Sequence, residues 1–209
     1  MILQILITIF FTASISSISL DKTIKFNNAH DEIIVITSPG CEHCKKYHDE
    51  HISPLIEKVR KMDKKINIRI VPFFTDPFSL TAIKACCIYD KKYFWELFYE
   101  FLNKQEIWKN INPREYKGDE DAWNAFTKII IDISMSKLKS MGEKASSKDI
   151  LNLMEDENLE NQWLEYHSEK TKEYKIFALP TVFIKNKENK IRCKFNSPPK
   201  IDELLSKIR

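Results

Sequence analysis

In the stretch EIIVITSPGCEHCKKYHDEH (Glu32–His51), an almost wholly apolar run stops at Pro39-Gly40 and leads directly into two cysteines two residues apart. A short continuous β-branched run of this kind marks a strand buried on both faces. From Cys44 the pattern becomes helical, with Ile52, Leu55, Ile56, Val59 and Met62 at i, i+3, i+4, i+7 and i+10. Pro54 lies inside that helix and is expected to kink it. INIRIVPFF (Ile66–Phe74) then alternates as a second core strand. A strand–helix–strand unit of this length implies parallel strands and a right-handed crossover. The cysteine pair therefore stands at the start of a helix that follows a buried strand.

The rest of the chain divides into a helical block and a closing β-β-α unit. Asp76-Pro77 supplies an N-cap and a first-turn proline. The helical region that follows carries Phe94, Trp95, Leu97, Phe98, Phe101 and Leu102 as an aromatic core surface. Further helices are expected over Asp121–Leu138, after a cap at Ser146 or Ser147, and over Glu157–Tyr174, with Asn110–Glu120 as a loop. PTVFIK and KIRCKF read as an antiparallel pair joined by a turn at Asn186–Asn189. SPPKIDELLSKIR reads as a final helix with Ile201, Leu204, Leu205 and Ile208 facing inward. The order β-α-β, helices over about 76–175, then β-β-α, with cysteines at the top of the first helix, is an α/β thioredoxin-like fold with an all-helical insertion.

Composition narrows the function. A chain of 209 residues with 43% hydrophobic and 30% charged residues suits one domain with a sizeable core. A net charge of +3 with mixed signs gives no case for nucleic acid. Three glycines argue against phosphate-cradling loops. MILQILITIFFTASISSISL opens the chain with an apolar run and a Ser-rich end, a secretory signal pattern whose best small-x-small cleavage site is Ser17-Ile18-Ser19. An uncleaved anchor or a first helix of the domain are the other readings of residues 1–19. Export would place the five cysteines in an oxidising compartment.

Four chemistries share the string CEHC. Covalent haem needs histidine directly after the second cysteine, where Lys45 stands. A metal site would draw on Cys41, Cys44 and two of His43, His48 and His51, but no second cluster completes it. The plainer reading of His48 and His51 is that they are partly exposed helix residues. A purely structural disulfide has no reason to sit at a helix start. A redox pair does, because free N–H groups and the helix dipole stabilise a thiolate in the first turn, and His43 adds a cation when protonated.

SPGCEHC resembles the active site of the DsbA family of thiol oxidoreductases. FFTDPFSLTAIKACCIYDKKYFWELFYEFLNKQEIW resembles the family's first insert helices, and FALPTVFIKN the strand that carries its cis-proline. The likeness spans about 21–209. It implies Cys41 as the exposed cysteine that forms mixed disulfides, Cys44 as the buried resolving thiol, and His43 as a stabiliser of the Cys41 thiolate. It also implies a cis Pro180 beside the pair, with Leu179, Pro180 and Thr181 as the substrate-binding segment. The partners it implies are extended exported polypeptides and a DsbB-like membrane reoxidase, acting on a monomer in the periplasm or cell envelope. No cofactor or metal is implied, since the disulfide carries the electrons.

The sequence departs from the family at three places. Glu42 replaces the usual proline and should raise the Cys41 pKa by roughly half a unit. Val35 stands where a buried carboxylate often relays protons, while Asp31 and Glu32 lie at the strand's far start. Cys87 fits one half of a disulfide that relatives carry in the insert, but the partner position is Leu153, so Cys86, Cys87 and Cys193 are expected as buried apolar thiols. Disulfide donation is the leading reading. A reductase or isomerase of the same fold, and a zinc or copper protein, are the rivals.

Overall fold

The structure, a computed structural model, describes residues 21–25, 29–61, 66–89, 91–111, 118–195 and 197–208. The signal-like segment, Met62 and most of the Asn110–Glu120 loop lie outside the described residues.

Five strands form one sheet in the order β1-β3-β2-β4-β5. They are β1 (Lys22–Ile24), β2 (Asp31–Thr37), β3 (Ile66–Pro72), β4 (Thr181–Asn186) and β5 (Ile191–Phe195). β2 lies at the centre, parallel to β3 and antiparallel to β4, and β1 joins β3 antiparallel. β1 was not evident from the sequence, because three residues give too little periodicity to register. Residues on β2 point alternately to opposite faces. Ile34 and Ile36 join the core made with the helical insert, and Ile33 and Val35 the core made with the first and last helices. That double burial explains why β2 is apolar without alternation.

The first helix is three joined segments: α1 (Glu42–Tyr47), a π-helical turn (His48–Ile52) and α2 (Ser53–Lys61). Pro54 was expected to kink a plain helix. Instead the wider turn ends just before it, with Ser53 N–H donating to His48 O, so the missing N–H of proline falls where the helical register is already changing. The π-turn also alters which residues face inward, with His48 and Ile52 buried.

The insert comprises α3 (Pro77–Ala85), α4 (Phe94–Asn103), α5 (Gln105–Trp108), α6 (Asp119–Ser140), α7 (Ser147–Glu155) and α8 (Glu157–Tyr174). Asp76 and Ser79 form a reciprocal capping box at α3, and Ser146 with Asp149 does the same for α7. α9 (Ile201–Ser206) buries Leu204 on the face opposite the insert. No helix among the described residues is long and apolar enough to cross a membrane.

Candidate active site

β2 delivers the chain to the site. Its last residue, Thr37, accepts from Phe73 N–H at 2.8 Å. The turn at Ser38–Gly40 is closed by Gly40 N–H donating to Ser38 Oγ at 3.2 Å. A Cβ on Gly40 would stand 2.7 Å from Ser79 Cβ of α3, so the turn can press on the insert only with glycine there.

Cys41 is the N-cap of α1, with extended backbone at φ −101°. Its carbonyl accepts from Cys44 N–H at 3.0 Å and Lys45 N–H at 3.1 Å. Its Sγ accepts from Cys44 N–H at 3.3 Å. The thiol thus takes the place a serine or aspartate oxygen takes at other helix starts, and answers an N–H with no partner inside the helix. Both cysteines are free thiols, with Cys41 half-buried and Cys44 buried.

Their environments push them in opposite directions. Cys41 is lowered to about 6, chiefly by a hydrogen bond from the Cys44 thiol, which outweighs burial; Cys44 N–H, the His43 charge and His43 N–H add to it. Cys44 is raised well above the ordinary thiol value by burial, then by hydrogen bonding to Cys41 and by the Cys41 charge. The surroundings thus favour the thiolate at the first sulfur and the thiol at the second.

The second wall comes from far along the chain. α8 ends at Lys175 in the left-handed conformation (φ 48°), and the next residues lead to a cis Leu179–Pro180 peptide. Leu179 O lies 3.7 Å from Cys41 Sγ. Thr181 begins β4, pairs with Ile36 on β2, and turns its hydroxyl back to Ala178 O rather than towards the cysteines. Phe177, on the same loop, is 90% exposed. His43 is exposed on α1 and, with Tyr47, His51, Leu179 and Pro198, lines an open groove of about 360 Å³ beside the pair.

Charge around the site is more balanced than the sequence indicates. Glu42 faces Lys109 Nζ of the insert at 3.9 Å, which offsets its opposition to the dipole. Lys45 Nζ is held by Glu106 at 2.7 Å and is less free to favour the thiolate. Neither partner could be read from sequence, because both lie across the fold. Gln105 of α5 also reaches the turn, and no linear motif marks it.

The carboxylate relay is absent from this strand. Val35 is fully buried in the core. Asp31 binds Arg192 through both oxygens, at 2.8 and 2.7 Å. Glu32 pairs with Arg69 at 2.9 Å. At ~3.3 Å per residue these acids begin the strand roughly 20 Å from its Thr37 end. The Thr37 hydroxyl, wholly buried, and Ser38 N–H instead favour the Cys44 thiolate. The sequence mark of this arrangement is not an acid but Thr37, a polar residue closing an apolar strand.

His48 corrects one expectation. It is buried rather than partly exposed, packs edge-on to Tyr99 at 5.2 Å, and is lowered to about 4 by burial and by Lys22. Among the described residues no three His, Cys, Asp or Glu side chains converge as a metal site. Cys86 and Cys87 are buried, their thiols donating to Ala82 O at 3.2 Å and Ile83 O at 3.6 Å. Cys193 departs from the buried expectation: it is half-buried on β5.

The sequence profile described as Thioredoxin matches residues 26–206. Among curated proteins none matches. Among solved structures, α-DsbA1 of Wolbachia pipientis aligns over 90% of this chain and 88% of its own, at 15% identity and a TM-score of 0.64. A protein-disulfide isomerase from Novosphingobium aromaticivorans aligns over 89% and 96%, at 16% identity and a TM-score of 0.65. BdbD from Bacillus subtilis aligns over 88% of each chain, at 19% identity and a TM-score of 0.58. These identities speak for a shared fold, including the helical insert of DsbA-type proteins. With the profile running from before β2 to the last helix, the chain belongs to the thioredoxin family.

Proposed function

We propose that this chain is an exported protein-disulfide oxidoreductase of DsbA type, which donates the Cys41–Cys44 disulfide to newly translocated polypeptides. The observation that carries this is the split between a thiolate-stabilised, half-exposed Cys41 and a buried Cys44 held as thiol, with a cis-proline loop against the first sulfur.

In the oxidised protein a substrate thiolate attacks Cys41 Sγ. The Cys41–Cys44 bond breaks, and Cys44 leaves as a thiolate that takes up a proton. The Thr37 hydroxyl and Ser38 N–H stabilise it in transit. The substrate's second thiolate then attacks the substrate sulfur of the mixed disulfide, and Cys41 leaves as the thiolate its surroundings favour. Two electrons pass from substrate to protein, and substrate gains one S–S bond. Leu179 and Pro180 offer backbone to an extended substrate strand beside Cys41, and Thr181 anchors that loop to β2. His43 supports the Cys41 thiolate. A DsbB-like membrane partner restores the disulfide, and the protein works as a monomer in the periplasm or cell envelope.

Reduction or isomerisation by the same pair is the second reading, and Glu42 is what favours it. The Glu42–Lys109 pairing weakens that case. A redox titration against glutathione, read by thiol trapping, separates donation from reduction. A potential of ~−120 to −180 mV places the protein among strong oxidants and isomerases, and one near ~−270 mV makes it a reductant. Insulin reduction and dithiol oxidation are expected to vanish in Cys41→Ser, and mixed disulfides to accumulate in Cys44→Ser. Full activity in Cys41→Ser would remove the assignment.

A further inference from the structure

Among the described residues, one side chain of the insert hydrogen-bonds the turn that carries Cys41. α5 is a single helical turn pinned by Trp108, which is buried, donates from Nε1 to Phe101 O at 2.8 Å, and meets the Phe101 ring edge-on at 6.3 Å. That pin fixes Gln105 at the start of the turn. Gln105 is 3% exposed, and its Nε2 donates to two backbone carbonyls, Pro39 O and, at 3.0 Å, Cys41 O. Its Oε1 is buried with no partner.

This asymmetry fixes the amide's orientation. Flipping it would aim an oxygen at two carbonyl oxygens, so both donors must face the turn. The molecule leaves a buried acceptor unsatisfied in order to keep those donors in place. The carbonyls they hold flank Gly40, and one belongs to Cys41 itself. Cys41 O then accepts three donors: Cys44 N–H, Lys45 N–H and Gln105 Nε2–H. Three donors on one carbonyl oppose rotation of that peptide unit, and its rotation would turn the Cys41 side chain relative to Cys44 N–H.

We propose that Gln105 is a positioning residue for the redox pair: its amide fixes the Pro39 and Cys41 carbonyls and so keeps Cys41 Sγ against the Cys44 N–H. The inference rests on the reading of Cys41 as the nucleophile. It gives α5 a task in the chemistry although Gln105 touches neither sulfur.

Gln105→Met keeps length and volume and removes both donors. In the reduced protein, the rate of Cys41 alkylation by iodoacetamide should fall at least threefold at pH 6 and be unchanged at pH 9, because less thiolate forms at acid pH. Ile107→Ala, which trims an exposed side chain of the same helical turn, should leave that profile in place. A Gln105→Met protein with a lower unfolding temperature but an unaltered pH profile would make Gln105 mere packing and overturn the proposal. If the variant does not fold, the unaltered protein still decides. The Gln105 side-chain amide signals in a ¹⁵N NMR titration should shift with the ionisation of Cys41, and signals that stay fixed would overturn the proposal. Neither readout uses disulfide exchange. An activity retained in Cys41→Ser would therefore defeat the functional reading and leave this result to stand or fall by itself.

Discussion

Cys41 and Cys44 are the same residue type three positions apart, and the fold gives them different acidities. At a pKa of about 6, Cys41 is roughly nine-tenths thiolate at pH 7, whereas a free cysteine near 8.5 is only about 3% ionised. Because the folded value lies below the unfolded one, Cys41 stabilises the reduced protein fully above pH ~8.5, and this contribution is lost as pH falls through about 6. The potential should show the same break. Above pH 6 reduction takes up one proton, at Cys44, and the potential should fall by ~30 mV per pH unit. Below pH 6 both thiols are protonated and the slope should double to ~59 mV. A potentiometric series from pH 4.5 to 8 measures it, and one unbroken slope would place the Cys41 pKa elsewhere. The pair itself was legible in the sequence, from its strand, its turn and its helix start. The balance of charge around it was not, because Lys109 and Glu106 come close only after the insert folds back.

At the level of elements, the turn and the π-helical segment carry the consequences. Gly40→Ala places a methyl group 2.7 Å from Ser79 Cβ, and neither the turn nor the capped start of α3 can give way easily. A loss of about 1–3 kcal/mol is expected, read from the urea midpoint. The π-turn brings His48 into the core beneath Tyr99. Its pKa falls from 6.5 to about 4, so the unfolded chain binds the extra proton between those values and stability drops as pH falls through that window. The two-and-a-half-unit gap corresponds to about 3 kcal/mol. His48→Phe should remove most of this acid lability, and urea midpoints at pH 7 and 4.5 would show it. The helix boundaries were readable where caps announce them: Asp76 and Ser146 each accept the backbone N–H expected of a cap. The π-turn was hidden, because one added residue in a turn leaves the apolar spacing on either side intact.

Over the whole molecule, the central sheet separates two cores, and the insert owns the larger one. Cys86 and Cys87 lie wholly within it. Burial raises Cys87 to about 11 and Cys86 well above the ordinary thiol range. Iodoacetamide at pH 8 should therefore modify Cys41 in the native protein and reach Cys86 and Cys87 only in denaturant. Native-state labelling of either, followed by mass spectrometry, would show that the insert opens while the sheet stays folded. The βαβ opening, the helical block and the closing β-β-α were all legible, because each depends on local periodicity. The position of β4 beside β2 was not, since antiparallel pairing across the insert leaves no mark in either strand. That pairing also bears on how the molecule is made. Cys41 and Leu179 O meet across 138 residues, which a ribosome adds in roughly 7–28 s at 5–20 residues per second. In the later part of that interval the thiols have left the tunnel while the strand that will wall them is still untranslated. A nascent chain therefore carries exposed, unguarded cysteines before it has any site to guard them.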